Sequence, residues 1–191
     1  MDIKTTALLA DPTPGSHIVY PYTDENKVVQ AIRHYTSSGL SRDEAVVLIV
    51  AEPHRESLIL LLKAEAFNTD LLQSRGQLVI LDAAQLLSSI MVGEEPDPTV
   101  FRAVIKRIID QASRDVASGH HRKVRLFGEM VSILWMSGQP DAALRLEELW
   151  NEVTDNYPVS LFCTYMLDGN GHSHLPENLL AAHNHRLLPI S

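Results

Sequence analysis

The sequence predicts an α/β fold: a three-layer sandwich built around a mainly parallel sheet of five or more strands. Strand-like apolar runs alternate with helical patterns five times along the chain, which is the arrangement of βα units. Residues 45–51, AVVLIVA, are apolar without alternation, as expected for a strand covered on both faces. Since parallel crossovers are right-handed, helices are expected on both sides of the sheet.

Each element follows from a local pattern. Strands are predicted from short apolar or β-branched runs at 18–20, 45–51, 78–81, 124–127 and 160–165. Helices are predicted from helical spacing of apolar residues at 24–38, 53–65, 83–91, 98–118, 139–156 and 176–182. Gly39 and Gly119 are read as helix stops, and Asp97 followed by Pro98 as a helix start. The segment GEEPDPTV is read as a surface connection.

Length and composition restrict the function classes. The chain has 191 residues, 45% of them apolar, which suits one domain with a sizeable core. We therefore expect an N-terminal arm, 1–14, and a single domain, 15–191, with a histidine-rich tail at about 167–191. A formal net charge of -8 without a basic run argues against direct nucleic-acid binding. Cys163 is the only cysteine, and no apolar run is long enough for a membrane span, so a cytoplasmic protein is expected.

A ligand crevice is predicted beyond the carboxyl ends of the strands, where open parallel sheets bind their ligands. The residues delivered there are Tyr20, Tyr22, Glu52, His54, Asp82, Glu129, Met130 and Tyr165. Asp82 and Glu52 have an alternative interpretation as helix caps, and the two tyrosines as packing above the sheet. Glu129 is the strongest candidate because FGEM places an acid directly after a buried strand.

The histidines raise the alternative of a metal site, which the sequence does not favour. His172 and His174 stand two residues apart, as do His183 and His185, and imidazole is a common zinc ligand. However, no cysteine or acid lies at a supporting spacing beside them, so neither a metal nor another cofactor is predicted. Cys163 lies within a predicted strand, where a thiol is expected to be inert packing.

Several longer segments resemble known families. The stretch from PGSHIVYPY to AEPHRESLILLL follows the layout of the RecA/KaiC-like ATPases. GSHIVYPY, SSGLSRDEAVVLIV, GQLVILDA, VRLFGEMVSILWMSG, LRLEELWN and SLFCTYM resemble the MEDS family more closely. That family is a sensory domain named after methanogens, methylotrophs and the DcmR regulator. The matching pieces span residues 15–166, and FGEMVSILW followed by LEELWN is the most specific part.

The resemblance implies a RecA-like core without a functional Walker A loop that senses a small organic molecule. A phosphate loop needs glycines, a Lys and a Ser or Thr, whereas the turn here reads YPYTDEN, with two acids and no glycine. Such a site suits an uncharged or weakly cationic ligand better than a nucleotide. The ligand-binding residues carried over from the family pattern are His17, Tyr20, Tyr22, Glu52, His54 and Glu129, to which the crevice argument adds Tyr165.

The predicted function is a stand-alone, non-enzymatic sensory domain in signal transduction or transcriptional control. Family members are often attached to a DNA-binding, histidine-kinase or PAS module, and none is recognisable here. A protein partner or self-assembly is therefore expected. Two alternatives stay open: an enzyme that uses Glu129 and His54 for hydrolysis or proton transfer, and a pure interaction module whose crevice Tyr20 and Tyr22 close.

Overall fold

A computed structural model describes residues 2–115, 119–167 and 174–187 of the chain. The elements in chain order are α1 (Ile3–Ala10), β1 (His17–Tyr22), α2 (Glu25–Ser41), β2 (Ala45–Val50), α3 (Glu52–Ala64), α4 (Thr69–Ser74), β3 (Leu78–Asp82), α5 (Ala83–Ile90), β4 (Met91–Val92), β5 (Glu95–Pro96), α6 (Pro98–Ser113), β6 (Val124–Gly128), α7 (Met130–Met136), α8 (Pro140–Asn156), β7 (Val159–Met166), α9 (Glu177–Ala181) and β8 (His185–Arg186).

The central sheet has six strands in the order β3-β2-β6-β7-β1-β8, and every neighbouring pair is parallel. The predicted α/β class with a mainly parallel sheet is therefore confirmed. All six residues of β2 are fully buried, which agrees with its unbroken apolar sequence. Within the described residues, none of the helices is long and apolar enough to cross a membrane.

Two apolar layers cover the sheet, one on each face. The first joins the sheet to α5, α6, α7 and α8, with Trp150 and Phe101 packed edge to face at 5.0 Å between ring centroids. The second joins it to α1, α2 and α3 through residues such as Ile32 and Leu58. The three-layer arrangement follows because each parallel strand alternates its side chains between two covered faces.

Several local features differ from the sequence expectation. Part of the N-terminal arm is helical, because Asp2 caps α1 by accepting hydrogen bonds from the backbone N–H groups of Lys4 and Thr5. The expected surface connection GEEPDPTV contains β5, which pairs antiparallel with β4 immediately before this segment. Helix α2 continues through Gly39 to Ser41, and α6 ends at Ser113, short of Gly119.

Besides α1, β4 and β5, three more of the described elements lacked a sequence prediction: α4, α7 and β8. Helix α7 covers the segment MVSILWM, in which Trp135 is buried in the core. Strand β8 has two residues and comes from the histidine-rich tail, where it pairs with Ile18 and Val19 of β1. The sixth strand therefore joins the C-terminal segment to the β1 edge of the central sheet.

Candidate functional site

A cavity of about 970 Å³ lies beyond the carboxyl ends of β1, β2, β6 and β7. Its apolar wall includes Val29, Leu61, Ile133, Met136 and Met166. Its polar lining includes Tyr22, Glu25, Ser57, His54 and Glu129. An apolar wall with a few convergent polar groups is the usual composition of a small-molecule site.

Glu129 is held in this cavity by the two neighbouring strands β2 and β6. It directly follows β6, and its backbone N–H donates a hydrogen bond of 3.0 Å to the carbonyl of Ile49 in β2. One oxygen of its carboxylate, Oε2, accepts a hydrogen bond of 2.6 Å from the N–H of Ala51. The carboxylate therefore bridges the ends of two central strands, and its side chain is only 4% exposed.

His54 lies between two carboxylates. Its Nδ1 contacts the other oxygen of Glu129, and its Nε2 lies 2.5 Å from Oε2 of Glu25. Burial alone lowers the pKa of His54, but hydrogen bonds and negative charge from Glu129 and Glu25 outweigh burial and raise it to about 9. At neutral pH the ring is therefore an imidazolium that donates to both acids, and the trio links α2, α3 and the start of α7.

Tyr22 forms the side of the cavity next to this trio. Its ring centroid lies 6.4 Å from that of His54, and the residue is 5% exposed. Burial raises the pKa of the Tyr22 hydroxyl, and the charges of Glu25 and Glu129 raise it further. The phenol is consequently neutral and offers both a donor and an acceptor to a ligand.

The turn between β1 and α2 occupies the position expected for a phosphate loop. Asp24 caps α2, since its carboxylate accepts hydrogen bonds of 2.9 and 3.2 Å from the N–H groups of Asn26 and Lys27. Glu25 adds a second acid in the first helical turn. The helix N-terminus, which would otherwise attract an anion, is thus satisfied by the chain's own carboxylate.

The other predicted crevice residues are not part of the cavity lining. Tyr20 is buried in the core between the sheet and α1–α3. Glu52 is exposed in the first turn of α3, 3.3 Å from the guanidinium of Arg55. Tyr165 points to the opposite face of the sheet, where its hydroxyl donates a hydrogen bond of 2.6 Å to Glu147. Asp82 caps α5, in agreement with its alternative interpretation.

The predicted placement of His17 in the crevice is wrong. His17 is the first residue of β1, so it lies at the amino end of that strand, whereas the crevice lies at the carboxyl end. It is 1% exposed, and its Nε2 stands 3.2 Å from Oε2 of Glu147 and 3.5 Å from Sγ of Cys163. His183 adds its Nε2 at 3.2 Å from the other oxygen of Glu147.

This second group, His17, Glu147, Cys163 and His183, is fully buried. Burial raises the pKa of Glu147, but the influence of the adjacent His183 and His17 outweighs burial and lowers it well below its usual value. Burial and the neighbouring carboxylate raise the pKa of the Cys163 thiol. The sequence analysis did not identify Glu147. A detectable signal was present, because this acid lies next to Leu146 and three residues before Trp150, within the apolar stripe of a helix.

Among the tail histidines that the structure describes, His174, His183 and His185, only His183 belongs to this group. His185 is half-buried in β8, His174 is exposed, and His172 lies outside the described residues. The pair His183 and His185 is therefore not the unit that the fold brings together. The grouping instead combines residues from four distant parts of the chain.

Comparisons with known proteins agree with this architecture. The model of the MEDS family, the methanogen/methylotroph, DcmR sensory domain, matches residues 16–184. A KaiC-like protein from the hyperthermophilic archaeon Pyrococcus horikoshii has a similar structure, with a TM-score of 0.59 at 10% identity over 91% of this chain and 71% of that chain. A search of curated proteins found no match.

The structural likeness establishes the RecA/KaiC-like fold alone. The family match covers nearly all of the chain and confirms the resemblance that FGEMVSILW and LEELWN indicated. The chain therefore belongs to the MEDS family of sensory domains.

Proposed function

We propose that this chain senses a small, uncharged or weakly cationic organic molecule in the cavity beside Tyr22, His54 and Glu129. The observation that carries the proposal is the composition of that cavity. Apolar side chains surround a polar floor in which one imidazolium faces two carboxylates, Glu25 and Glu129. The floor carries a net negative charge, which favours a hydrogen-bonding neutral molecule or a cation and repels phosphates and carboxylates.

The trio of Glu25, His54 and Glu129 supplies a route from ligand binding to a change in the protein. Glu129 and His54 are held in place by burial, whereas the Glu25 side chain is 53% exposed. A cationic or hydroxylated ligand that takes over the hydrogen bond of Glu25 would release α2 from α3. The signal would then pass through these helices to a partner protein or a second copy of the chain. This is a regulatory role in the cytoplasm that requires no catalysis.

The contact between His54 and Glu129 also favours the enzyme alternative, since a base and its orienting acid must lie within hydrogen-bond reach. Both ring nitrogens of His54 are occupied by carboxylates, however, so neither faces the open cavity as a free base. A pH-dependent turnover that Glu129→Gln abolishes would support catalysis. The third interpretation, a crevice closed by Tyr20 and Tyr22, disagrees with a cavity of about 970 Å³.

The test compares ligands of one size and different charge. Native mass spectrometry of the purified full chain first shows whether a small molecule is carried through purification. Thermal unfolding is then measured with butylamine, butanol and butyrate, and we expect stabilisation in that order, with none from butyrate. Stabilisation by butyrate equal to that by butylamine, or by none of the three with no bound mass, contradicts the proposal.

A matched pair of variants locates the binding. Ser57→Trp places a large ring at the cavity wall, whereas Ser89→Trp makes the same change on the exposed face of α5. Each serine hydroxyl donates a hydrogen bond to a carbonyl of its own helix, so both variants lose the same kind of hydrogen bond. We expect ligand stabilisation to be lost in Ser57→Trp and retained in Ser89→Trp. Retention in both would place the ligand elsewhere.

A further inference from the structure

We infer that His17, Glu147, Cys163 and His183 form a binding site for a single divalent transition metal ion, with zinc as the best fit. Each residue offers one ligand atom, and the four atoms lie within 4.8 Å of one another. Two imidazole nitrogens, a sulfur and a carboxylate oxygen are all ligands that zinc accepts, and four protein ligands without an open position describe a structural site. This site lies apart from the proposed sensory cavity and does not depend on it.

The spacing of the ligand atoms matches a tetrahedral ion. At the usual bond lengths to zinc, a nitrogen and an oxygen ligand stand about 3.3 Å apart, and a sulfur and a nitrogen about 3.6 Å apart. Nε2 of His17 lies 3.2 Å from Oε2 of Glu147, and Nε2 of His183 lies 3.2 Å from Oε1 of the same carboxylate. The Cys163 sulfur lies 3.5 Å from the His17 nitrogen and 3.9 Å from the nearer Glu147 oxygen.

A buried nitrogen without a hydrogen-bond partner points independently to a ligand. Nε2 of His183 is buried in a side chain that is 0% exposed, and it lacks a hydrogen-bond partner although it faces Glu147 at 3.2 Å. The Nδ1 of the same ring lies 2.9 Å from the carbonyl of Leu179, to which only a protonated nitrogen can donate. Nδ1 is therefore held by the backbone, and Nε2 is the ring nitrogen turned into the group, which is the orientation that metal coordination requires.

Outer hydrogen bonds orient the remaining ligands in the same way. Nδ1 of His17 lies 2.8 Å from Oδ1 of Asn151, which leaves Nε2 of His17 facing the group. The Tyr165 hydroxyl donates a hydrogen bond of 2.6 Å to the Glu147 carboxylate. Ligands of protein-bound metals are commonly held by such partners. A thiolate and a carboxylate would also balance the two positive charges of the ion.

The ion would join four parts of the fold that sequence separates. His17 begins β1, Glu147 lies on α8, Cys163 lies within β7, and His183 follows α9. Because His183 is the ligand contributed by residues 174–187, the ion would fasten this C-terminal segment to the sheet. Metal loading would therefore strengthen the docking of this segment, which β8 also pairs with β1.

Cobalt(II) provides the first test, because cobalt bound to a thiolate has a near-ultraviolet charge-transfer band. Cys163 is the only cysteine in the chain, so such a band from the wild-type protein can arise from this site alone. We expect one equivalent of cobalt to give the band and zinc to remove it by competition. We also expect zinc at a hundredfold excess over Kd to raise the Tm by about 5–10 °C. A folded wild-type protein that shows no thiolate band with added cobalt overturns the proposal.

Variants test whether cobalt binds to the four proposed ligands rather than to other histidines. Cys163→Ser should lose the band, whereas His185→Gln, which changes the neighbouring half-buried histidine, should retain it. Asn151→Ala should weaken cobalt binding by about 10- to 100-fold through the orientation of His17. Asn156→Ala on the same helix, whose amide bonds only the Glu152 carbonyl in the structure, serves as its control. Equal affinity in the two asparagine variants, or a band lost in His185→Gln, would contradict the assignment.

Discussion

Every nitrogen of the Arg125 guanidinium donates a hydrogen bond, although the residue is 2% exposed. Nε contacts the Glu44 carboxylate, Nη1 donates to the carbonyls of Leu9 and Tyr35 at 3.0 and 3.2 Å, and Nη2 donates to that of Ala10 at 2.9 Å. Leu9 and Ala10 end α1, so a positive charge satisfies carbonyls that the helix leaves unpaired. Arg125 therefore fastens the N-terminal helix to the sheet.

Gly39 illustrates how this arginine restricts its neighbours. A Cβ at position 39 would lie 2.8 Å from Cδ and 2.9 Å from Nε of Arg125. Both distances are shorter than a normal van der Waals contact. The hydrogen bonds of the guanidinium prevent the Arg125 side chain from moving aside. The glycine at position 39 is therefore required by packing inside α2 and does not mark the end of the helix, as the sequence had suggested.

Gly39→Ala should destabilise the protein by about 1–3 kcal/mol, the usual cost of overpacking a core. The sign of the stability change identifies the packing effect, because replacing glycine with alanine in an exposed helix normally stabilises a protein by about 0.5–1 kcal/mol. Urea unfolding followed by circular dichroism measures the change, with Ser37→Ala on the same helix as the control. A Gly39→Ala variant as stable as the wild type would mean that Arg125 can shift at little cost.

At the scale of elements, helix α2 shows how a strand–turn–helix unit can lack nucleotide chemistry. Asp24 accepts the first free N–H groups of the helix, and Glu25 points to His54 rather than leaving room for an anion. The same elements that hold phosphates in nucleotide-binding folds therefore hold carboxylates here. The likeness to a KaiC-like structure consequently concerns the fold alone.

Magnesium-ATP at millimolar concentration should leave the Tm of the protein unchanged, because the occupied helix terminus and the two acids repel the triphosphate. Differential scanning fluorimetry measures the effect. Magnesium chloride with inorganic triphosphate at equal ionic strength is the control for nonspecific salt effects. A stabilising shift specific to ATP would contradict this interpretation of the turn.

For the molecule as a whole, the imidazolium of His54 makes stability depend on pH. The pKa of His54 rises from 6.5 in its ordinary state to about 9 in the folded protein. Between these values the folded state binds the extra proton, so unfolding becomes easier as pH rises. The stabilisation is complete below about pH 6.5 and is lost as pH passes 9, with a magnitude of about 2–3 kcal/mol.

The difference in unfolding free energy between the wild type and His54→Gln should therefore decrease from pH 6 to pH 10. Urea midpoints measured at intervals across this range give the difference, which removes the contributions of other titrating groups. Glu129→Gln should lower the pKa of His54 and move the decrease to lower pH, as a histidine titration by NMR would detect. A difference that is constant with pH would show that His54 is neutral in the folded protein.

The sequence by itself determined the fold class and the crevice end of the sheet. Unbroken apolar runs such as β2 demand two covered faces, and the alternation with helices demands parallel crossovers. Glu129, His54 and Tyr22 were predictable as cavity residues because the end of a strand fixes where the next residues lie. These features depend on local patterns that are read within a few residues.

The tertiary structure alone decided which distant polar groups meet. His17 and Glu147 are 130 residues apart along the chain, yet their side-chain atoms lie 3.2 Å apart. Arg125 reaches the end of a helix more than a hundred residues earlier. The two-residue strand β8 forms only because β1 presents an unpaired edge. Periodicity reports which face of an element is buried, but the partner of a buried charge depends on how the whole chain packs.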